Sequence, residues 1–243
     1  MKHIKRIAVI LLAVILATVL AGCGNTQDLA AGGSADTMPT DAVASQPGNA
    51  VSVADESNTA NDDTASSGSK VLVVYFSRTG EQYNVGVIDK GNTAIVAEMI
   101  AEQSGADMFE ILPEKDYYPY TYMELTDVAK KEQNENARPA YAGEAPDLSQ
   151  YDTVFIGAPV WWGDWPMICY TFFETNADAL AGKTLIPFST HEGSGLSGFD
   201  KKLAKALPDS TVGEGLAIKG SDAQNKQDAV RKKVNDWLSE LGF

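Results

Sequence analysis

One stretch of the chain, residues 70–80, reads KVLVVYFSRTG and constrains the fold more than any other. Its apolar residues run almost without interruption from Val71 to Phe76, and several of them are β-branched. Such a run is typical of a strand buried on both faces, as in a parallel sheet covered by helices on each side. The run stops at a small, hydroxyl-bearing turn, residues 77–80. A buried strand that opens into such a turn before a helix is a suitable place to bind a phosphate.

The N-terminus has the pattern of a secretion signal. A short basic segment, residues 1–6, precedes an apolar run from Ile7 to Ala21. That run is short for a membrane span, which needs about 20 apolar residues, but it suits the apolar region of a signal peptide. It ends at LAGC, which resembles the bacterial lipobox. We therefore expect residues 1–22 to be a lipoprotein signal peptide and Cys23 to be lipidated. The alternatives are an ordinary signal peptide with a chance cysteine, or an uncleaved anchor.

The segment between this signal and the first strand predicts a tether. Residues 24–69 contain no aromatic residue, no Lys and no Arg, and every charge in them is negative. Such a segment cannot bury enough apolar surface to offset the entropy lost on ordering. We expect residues 23–69 to be a disordered acidic tether, with a root-mean-square span of roughly 35–40 Å. The protein would then be exported and lipid-anchored to the bacterial cell membrane, with residues 70–243 as its one folded domain.

Charge and composition limit the kinds of partner and ligand that the chain can bind. The chain has 33 acidic and 19 basic residues, a formal charge of −14, and removal of the signal would shift this to −17. So acidic a chain argues against nucleic acid as a partner. With Cys23 acylated, Cys169 has no partner for a disulfide, so we expect a small buried side chain there. The only histidine beyond the signal is His191, which excludes a site with several histidine ligands, and no metal is predicted.

Strand and helix patterns alternate along the domain. After the first strand, further strands are predicted at residues 107–112, 151–157, 184–190 and 211–218. Helices are predicted from Asn92 with Asn92 or Thr93 as its N-cap, at 120–133, after a cap at Asp164, at 198–207 and at 229–241. About five strand–helix repeats indicate a doubly wound α/β sheet, which binds ligands outside the carboxyl ends of its strands. Residues 81–91 are expected to be a surface insertion that leaves and re-enters the loop after the first strand.

Three loops that follow predicted strands carry the candidate chemistry. They offer hydroxyls and N–H groups for an anion, a flat aromatic face, and a flexible glycine loop with backbone donors. Their residues are Ser77, Arg78, Thr79 and Gly80 with Asn92 and Thr93; Pro159, Val160, Trp161, Trp162 and Gly163; and Thr190, His191, Gly193, Ser194 and Gly195. One anion subsite beside one aromatic slot indicates a mononucleotide with a large planar ring. The alternative for Trp161 and Trp162 is core or interface packing.

Other motifs are weaker. Residues 193–198 match GxGxxG, but the dinucleotide fingerprint belongs on the first strand of its unit, and here it follows the penultimate one. Residues 182–184 have the ending of a Walker motif without its earlier glycine, and they precede a strand. His191 and Ser194 could suggest a hydrolase, yet the chain has no GxSxG elbow. These motifs therefore do not favour a nicotinamide enzyme, a P-loop NTPase or a hydrolase.

The YFSRTG and PVWWG segments resemble those of the flavodoxin-like flavoproteins, over residues 70 to about 220 and the final helix. The resemblance implies a three-layer α/β/α fold, with a five-stranded parallel sheet in the order 2-1-3-4-5, and non-covalent FMN at its carboxyl edge. The first loop with Asn92 and Thr93 would then hold the phosphate, and residues 159–163 and 190–195 would flank the isoalloxazine. In this family the phosphate loop usually runs directly from TG into NT, so the insertion of residues 81–91 is a departure.

Three functions follow from the resemblance. The first is an FMN protein that transfers electrons at the outer side of the cytoplasmic membrane, to or from a redox partner protein or a quinone. The second is an FMN-dependent reductase of quinones or small electrophiles, with His191 or Tyr83 as proton donor. The third is a flavodoxin fold without FMN that acts as a binding module.

Overall fold

The computed structural model describes residues 70–243, in which the first strand is an inner strand of the sheet. The strands are β1 (Lys70–Tyr75), β2 (Gly80–Gln82), β3 (Gly86–Ile88), β4 (Asp107–Glu110), β5 (Tyr151–Pro159), β6 (Thr184–His191), β7 (Thr211–Val212) and β8 (Leu216–Lys219). The helices are α1 (Asn92–Ser104), α2 (Tyr122–Glu135), α3 (Met167–Thr175), α4 (Ala177–Leu180), α5 (Phe199–Ala206), α6 (Gly220–Asn225) and α7 (Gln227–Leu241). The predicted signal peptide, the lipidated Cys23 and the tether lie outside the described residues.

The main sheet is parallel and has the order β4-β1-β5-β6, with β7 and β8 sharing the place beside β6. In strand positions this is 2-1-3-4-5, as predicted. Successive side chains of β1 point to opposite faces. Val71, Val73 and Tyr75 join the core under α1 and α7, whereas Leu72 and Val74 join the core under α3 and α5. The three-layer α/β/α prediction is therefore confirmed.

The last predicted strand, residues 211–218, is divided. Thr184 pairs with Thr211 and Phe188 with Leu216, so the link between β7 and β8, residues 213–215, has one residue more than the part of β6 opposite it, residues 186–187. This extra residue falls opposite Pro187, which has no N–H to donate to a ladder. A Cβ at Gly215 would lie 2.8 Å from the Pro187 carbonyl oxygen, so the chain passes this point too closely for a side chain.

Several helix boundaries differ from the predictions. The helix after Asp164 begins at Met167 with Pro166 as its N-cap, and the Asp164 carboxylate instead accepts hydrogen bonds from the Trp165 N–H and the Tyr170 hydroxyl. Helix α6 was not predicted, because six residues are too few to show a periodic pattern. Cys169 is free and fully buried in α3, as predicted.

The insertion after β1 forms a hairpin. Strands β2 and β3 pair antiparallel, and Asn84 in the turn between them has a left-handed φ of 58°. The Glu81 N–H donates to the Tyr120 carbonyl oxygen at 2.9 Å, which joins the hairpin to the segment before α2. Among the helices in residues 70–243, none combines the length and the apolar character that a membrane crossing requires.

We predict that Gly157→Ala destabilises the domain by about 1–3 kcal/mol, the usual cost of overpacking a core. A Cβ at Gly157 would lie 2.0–2.4 Å from ring carbons of Phe188, its register partner on β6. Urea unfolding of the cofactor-free protein measures the loss. In the double variant with Phe188→Leu, the loss should be smaller than the sum of the two single losses. If Gly157→Ala had the same free energy of unfolding as the wild type, this packing would be contradicted.

Candidate cofactor site

A cavity of about 230 Å³ opens where β5 and β6 reach their carboxyl ends. Seven predicted site residues line it: Asn92, Pro159, Val160, Trp161, Trp162, Thr190 and His191. The rest of its wall comes from Gln82, Tyr83, Tyr122, Leu125, Thr126, Ala129, Glu192 and Gly220. The second and third predicted loops thus meet at one cavity, and they meet the first helix there through Asn92.

The N-terminus of α1 adjoins this cavity. Its N-cap is Gly91, not Asn92 or Thr93 as predicted, and its first turn contains no acidic residue. A Cβ at Gly91 would lie 2.1 Å from the Ser77 hydroxyl, so only glycine fits. Ser77 lies outside the helix but caps it, because its hydroxyl accepts a hydrogen bond from the Ala94 N–H at 3.0 Å. A helix N-terminus without acidic side chains is electrostatically suited to a phosphate.

Further polar contacts join the start of this helix to β6 and α6. The Thr93 hydroxyl is buried and lies 2.8 Å from the Thr190 hydroxyl at the end of β6. The amide nitrogen of Gln224 donates at 2.8 Å to the side-chain oxygen of Asn92. The same nitrogen also donates to the Lys90 carbonyl oxygen at 2.8 Å. Asn92 is therefore held in one orientation at the cavity wall.

Arg78, Thr79 and Gly80 do not line the cavity. The Arg78 guanidinium donates to Asp116 at 2.8 Å and to the Tyr118 carbonyl oxygen at 3.0 Å, while its Nε is buried without a partner among the described residues. Thr79 is exposed, and its carbonyl oxygen accepts from the Gln82 amide at 3.3 Å. Gly80 has a φ of +89°, and a Cβ there would lie 2.7 Å from the Tyr120 carbonyl oxygen.

The two tryptophans have different environments. Trp161 packs edge-on against Phe76, with ring centroids 5.4 Å apart, and against Tyr118 at 5.3 Å. Trp162 has a left-handed φ of 50° and is 52% exposed. Its indole N–H donates to the Thr126 carbonyl oxygen at 2.9 Å. Trp161 therefore packs against the core and also lines the cavity, whereas Trp162 is held at the cavity rim. Gly163, in the left-handed region at φ 73°, follows in this turn and does not line the cavity.

The imidazole of His191 is held in one tautomer. Its Nδ1 accepts from the Gly193 N–H at 2.9 Å, so the proton of the neutral ring is on Nε2. Burial lowers the pKa of His191, and Lys233 and Lys219 lower it further, against an opposing effect of Glu192. His191 is therefore a neutral hydrogen-bond donor at pH 7. Its neighbour Glu192 accepts from the backbone N–H of Ser221 at 2.6 Å.

The remaining loop residues lie away from the cavity. Gly193 and Ser194 are exposed, and the Gly195 carbonyl oxygen accepts from the Ser189 hydroxyl at 3.0 Å. None of these three predicted residues lines the cavity.

Helix α2 supplies a wall that we did not predict. Tyr122, Leu125, Thr126 and Ala129 line the cavity with the spacing i, i+3, i+4, i+7, which places them on one face of the helix. That spacing was present in the sequence, but nothing in it distinguished a ligand-facing stripe from a core-facing one. Gln82 and Tyr83 come from the hairpin, where no counterpart in the family pattern allowed an assignment.

A buried carboxylate lies behind Trp161. Glu132 is 6% exposed and accepts hydrogen bonds from the Tyr117 hydroxyl and, at 3.2 Å, from the Tyr118 hydroxyl. Burial raises the pKa of Glu132, and the two hydrogen bonds partly oppose this. Burial and the bond to Glu132 raise the pKa of Tyr117 to about 12. Within residues 70–243, no group of three or more His, Cys, Asp or Glu side chains is arranged to hold a metal ion.

The fold and the cavity define a doubly wound α/β protein with a mononucleotide-type site at the carboxyl edge of its sheet. The flavodoxin family model matches residues 70–238, and the chain belongs to this family. No curated protein matches the chain significantly.

Several solved structures are similar to the chain. One from Bacteroides uniformis, provisionally assigned as a flavoprotein, is 32% identical and has a TM-score of 0.56, over 71% of this chain and 99% of that one. A second with the same assignment, from Bacteroides eggerthii, is 32% identical with a TM-score of 0.51, over 67% and 98%. A flavoprotein from Lactobacillus acidophilus in complex with FMN is 20% identical with a TM-score of 0.51, over 66% and 98%, a likeness that shows the fold alone. Membership of the flavodoxin family agrees with the predicted cofactor, FMN.

We predict that Glu132→Gln changes the pH dependence of stability. Since the folded state binds this proton more tightly than the unfolded chain, wild-type stability falls as pH rises from the ordinary pKa of glutamate through the raised folded pKa. The variant lacks this loss, so its free energy of unfolding should rise relative to wild type over that range and then level off. Urea unfolding between pH 4 and pH 8 measures it. Glu135→Gln, exposed on the same helix, is the control, and an equal effect there would refute the prediction.

Proposed function

We propose that this flavodoxin-family protein binds FMN and transfers electrons at the outer side of the cytoplasmic membrane. One observation carries the cofactor part of the proposal. The Thr93–Thr190 contact joins a helix N-terminus without acidic residues to a cavity lined by Trp161 and Trp162. When bound, FMN supplies both one-electron and two-electron chemistry, and the protein sets its potential.

The phosphate would lie at the start of α1. The Ser77 hydroxyl and the N–H groups of Asn92 and Thr93 are the donors there. Arg78 contributes positive charge to this loop while its guanidinium stays bound to Asp116. Its buried Nε has no partner among the described residues, so that N–H is free to donate a further hydrogen bond.

The ring would lie in the cavity between residues 159–162 and residues 190–192, the parts of the two loops that line it. Trp161 offers a rigid aromatic wall, because Phe76 and Tyr118 support its ring from the core side. His191 presents a neutral Nε2–H donor beside that wall. The net charge of −14 disfavours an additional negative charge, so it lowers the potential of the couple that ends in an anionic, fully reduced flavin.

We expect the protein to bind FMN more tightly than riboflavin, which lacks the phosphate. In Ser77→Ala this preference should fall by about 10-fold or more, since a hydrogen bond to a charged group contributes about 1.5–3 kcal/mol. Titration with each flavin, followed by absorbance and fluorescence, gives the two dissociation constants. Ser104→Ala is the control, because that hydroxyl donates to the Ile100 carbonyl oxygen at the opposite end of α1. A protein that binds neither flavin would refute the proposed function.

The location rests on the N-terminal pattern. The basic start, the apolar run and the LAGC segment support export and lipidation at Cys23. Cys23→Ser should move the protein from the membrane fraction to the soluble fraction and abolish incorporation of labelled palmitate. Retention of the variant in the membrane fraction would refute the lipid anchor. Lys2→Gln, in the basic start of the signal, retains Cys23 and is the control for altered export.

A second candidate is an FMN-dependent reductase of quinones or small electrophiles. The extent of the cavity favours it, because the cavity continues beyond the two strand-end loops to α2 and the hairpin. A carrier that only exchanges electrons with a protein partner has no need of this extra wall. His191 would act there as a hydrogen-bond donor to the acceptor and not as a strong acid, since its lowered pKa keeps it neutral.

A further inference from the structure

Two exposed aromatic side chains stand at the rim of the cofactor cavity. Tyr83 is 54% exposed and Trp162 is 52% exposed, and both line the cavity. A single exposed aromatic side chain is ordinary, but exposed aromatic side chains grouped at the mouth of a cavity are typical of a binding site.

Helix α2 holds both rings in position. The Tyr83 ring stacks on Tyr122, with centroids 5.5 Å apart and planes 28° apart. The Trp162 indole N–H donates to the Thr126 carbonyl oxygen, and the Lys130 ammonium lies 5.0 Å from the centroid of its ring. Tyr122 and Thr126 are four residues apart, so the two supports lie about one turn apart on the same helix face.

The hairpin that carries Tyr83 is itself fixed to α2. The Glu81 N–H donates to the Tyr120 carbonyl oxygen at 2.9 Å, and the Glu81 carboxylate accepts from the Tyr122 N–H at 2.9 Å. The second of these bonds satisfies a free N–H at the start of α2. The insertion therefore places the Tyr83 ring at the cavity rim, and these two hydrogen bonds hold the hairpin in that position.

The lining of the cavity indicates what these rings would bind. It contains no Lys or Arg, and the Lys130 ammonium near the rim lies over the Trp162 ring, so the lining itself presents no cation to an acceptor. Its one carboxylate, Glu192, is engaged by the Ser221 N–H and hydroxyl. The cavity walls also include the buried Leu125 and Ala129 and the neutral His191. These surroundings suit a flat, uncharged ring with hydrogen-bond acceptors on its edge.

We propose that Tyr83 and Trp162 form a stacking subsite for a quinone-type electron acceptor. The proposal rests on the proposed function, because reduced FMN supplies the electrons. The quinone gains two electrons and two protons and leaves as the hydroquinone, while reduced FMN is oxidised. Bound FMN would supply the electron pair together with one proton, and water would supply the second proton and leave as hydroxide into bulk solvent, while His191 would donate a hydrogen bond to the quinone.

The test is single-turnover reoxidation of the full chain, loaded with FMN and reduced with dithionite. Menadione is the planar acceptor, and ferricyanide is the reference, because it takes one electron by outer-sphere transfer and requires no stacking. Tyr83→Ala should raise the half-saturating menadione concentration by about three- to tenfold, the value of one aromatic contact. The ratio of menadione to ferricyanide reactivity should fall accordingly, and Tyr83→Phe should restore both.

Tyr120→Ala is the matched control. Tyr120 is 59% exposed near the same hairpin, but it does not line the cavity. The proposal is overturned if Tyr83→Ala leaves the half-saturating concentration unchanged. It is also overturned if Tyr120→Ala raises that concentration equally, or if the ferricyanide rate falls as much as the menadione rate. Flavin absorbance is measured before any acceptor is added, so failure to bind FMN is distinguished from failure of the stacking subsite.

Discussion

Burial of β1 on both faces is the constraint on which the rest of the structure depends. Because Val73 and Val74 are each fully buried on opposite faces, helices must cover both sides of the sheet. At its carboxyl end the strand leaves the core after Phe76. There the Ser77 hydroxyl meets the start of α1, and Phe76 supports Trp161. The same burial that stabilises the fold therefore places the anion-binding turn and the aromatic wall together.

A few polar contacts between distant segments complete the site. The Thr93 and Thr190 hydroxyls meet across 97 residues of sequence, and Gln224 reaches Asn92 across 132. Buried hydroxyls need partners, so each of these contacts fixes one element relative to another. Arg78 donates hydrogen bonds to the Asp116 carboxylate and the Tyr118 carbonyl oxygen, and so it lies outside the cavity, where it supports the cavity wall.

The order of elements was predictable because apolar runs and helical stripes are local properties of the chain. The division of the last strand into β7 and β8 was not predictable, since it depends on Pro187 in the neighbouring strand β6. The N-cap of α1 was misassigned for a similar reason, because the Ser77 hydroxyl that caps it lies 17 residues before Ala94. The role of α2 in the cavity was hidden because an apolar stripe has the same spacing whether it faces a core or a ligand.

By itself, the sequence determined the class of fold, the strand order implied by its resemblance, and the three strand ends around which a site would form. Those features follow from hydrophobic periodicity and from short motifs, which are readable in one dimension. Only the tertiary structure decided which loop residues reach the cavity, how the insertion folds back on α2, and that Tyr83 and Trp162 share one rim. These features depend on contacts between residues 36 or more positions apart, and a linear pattern does not encode such distances.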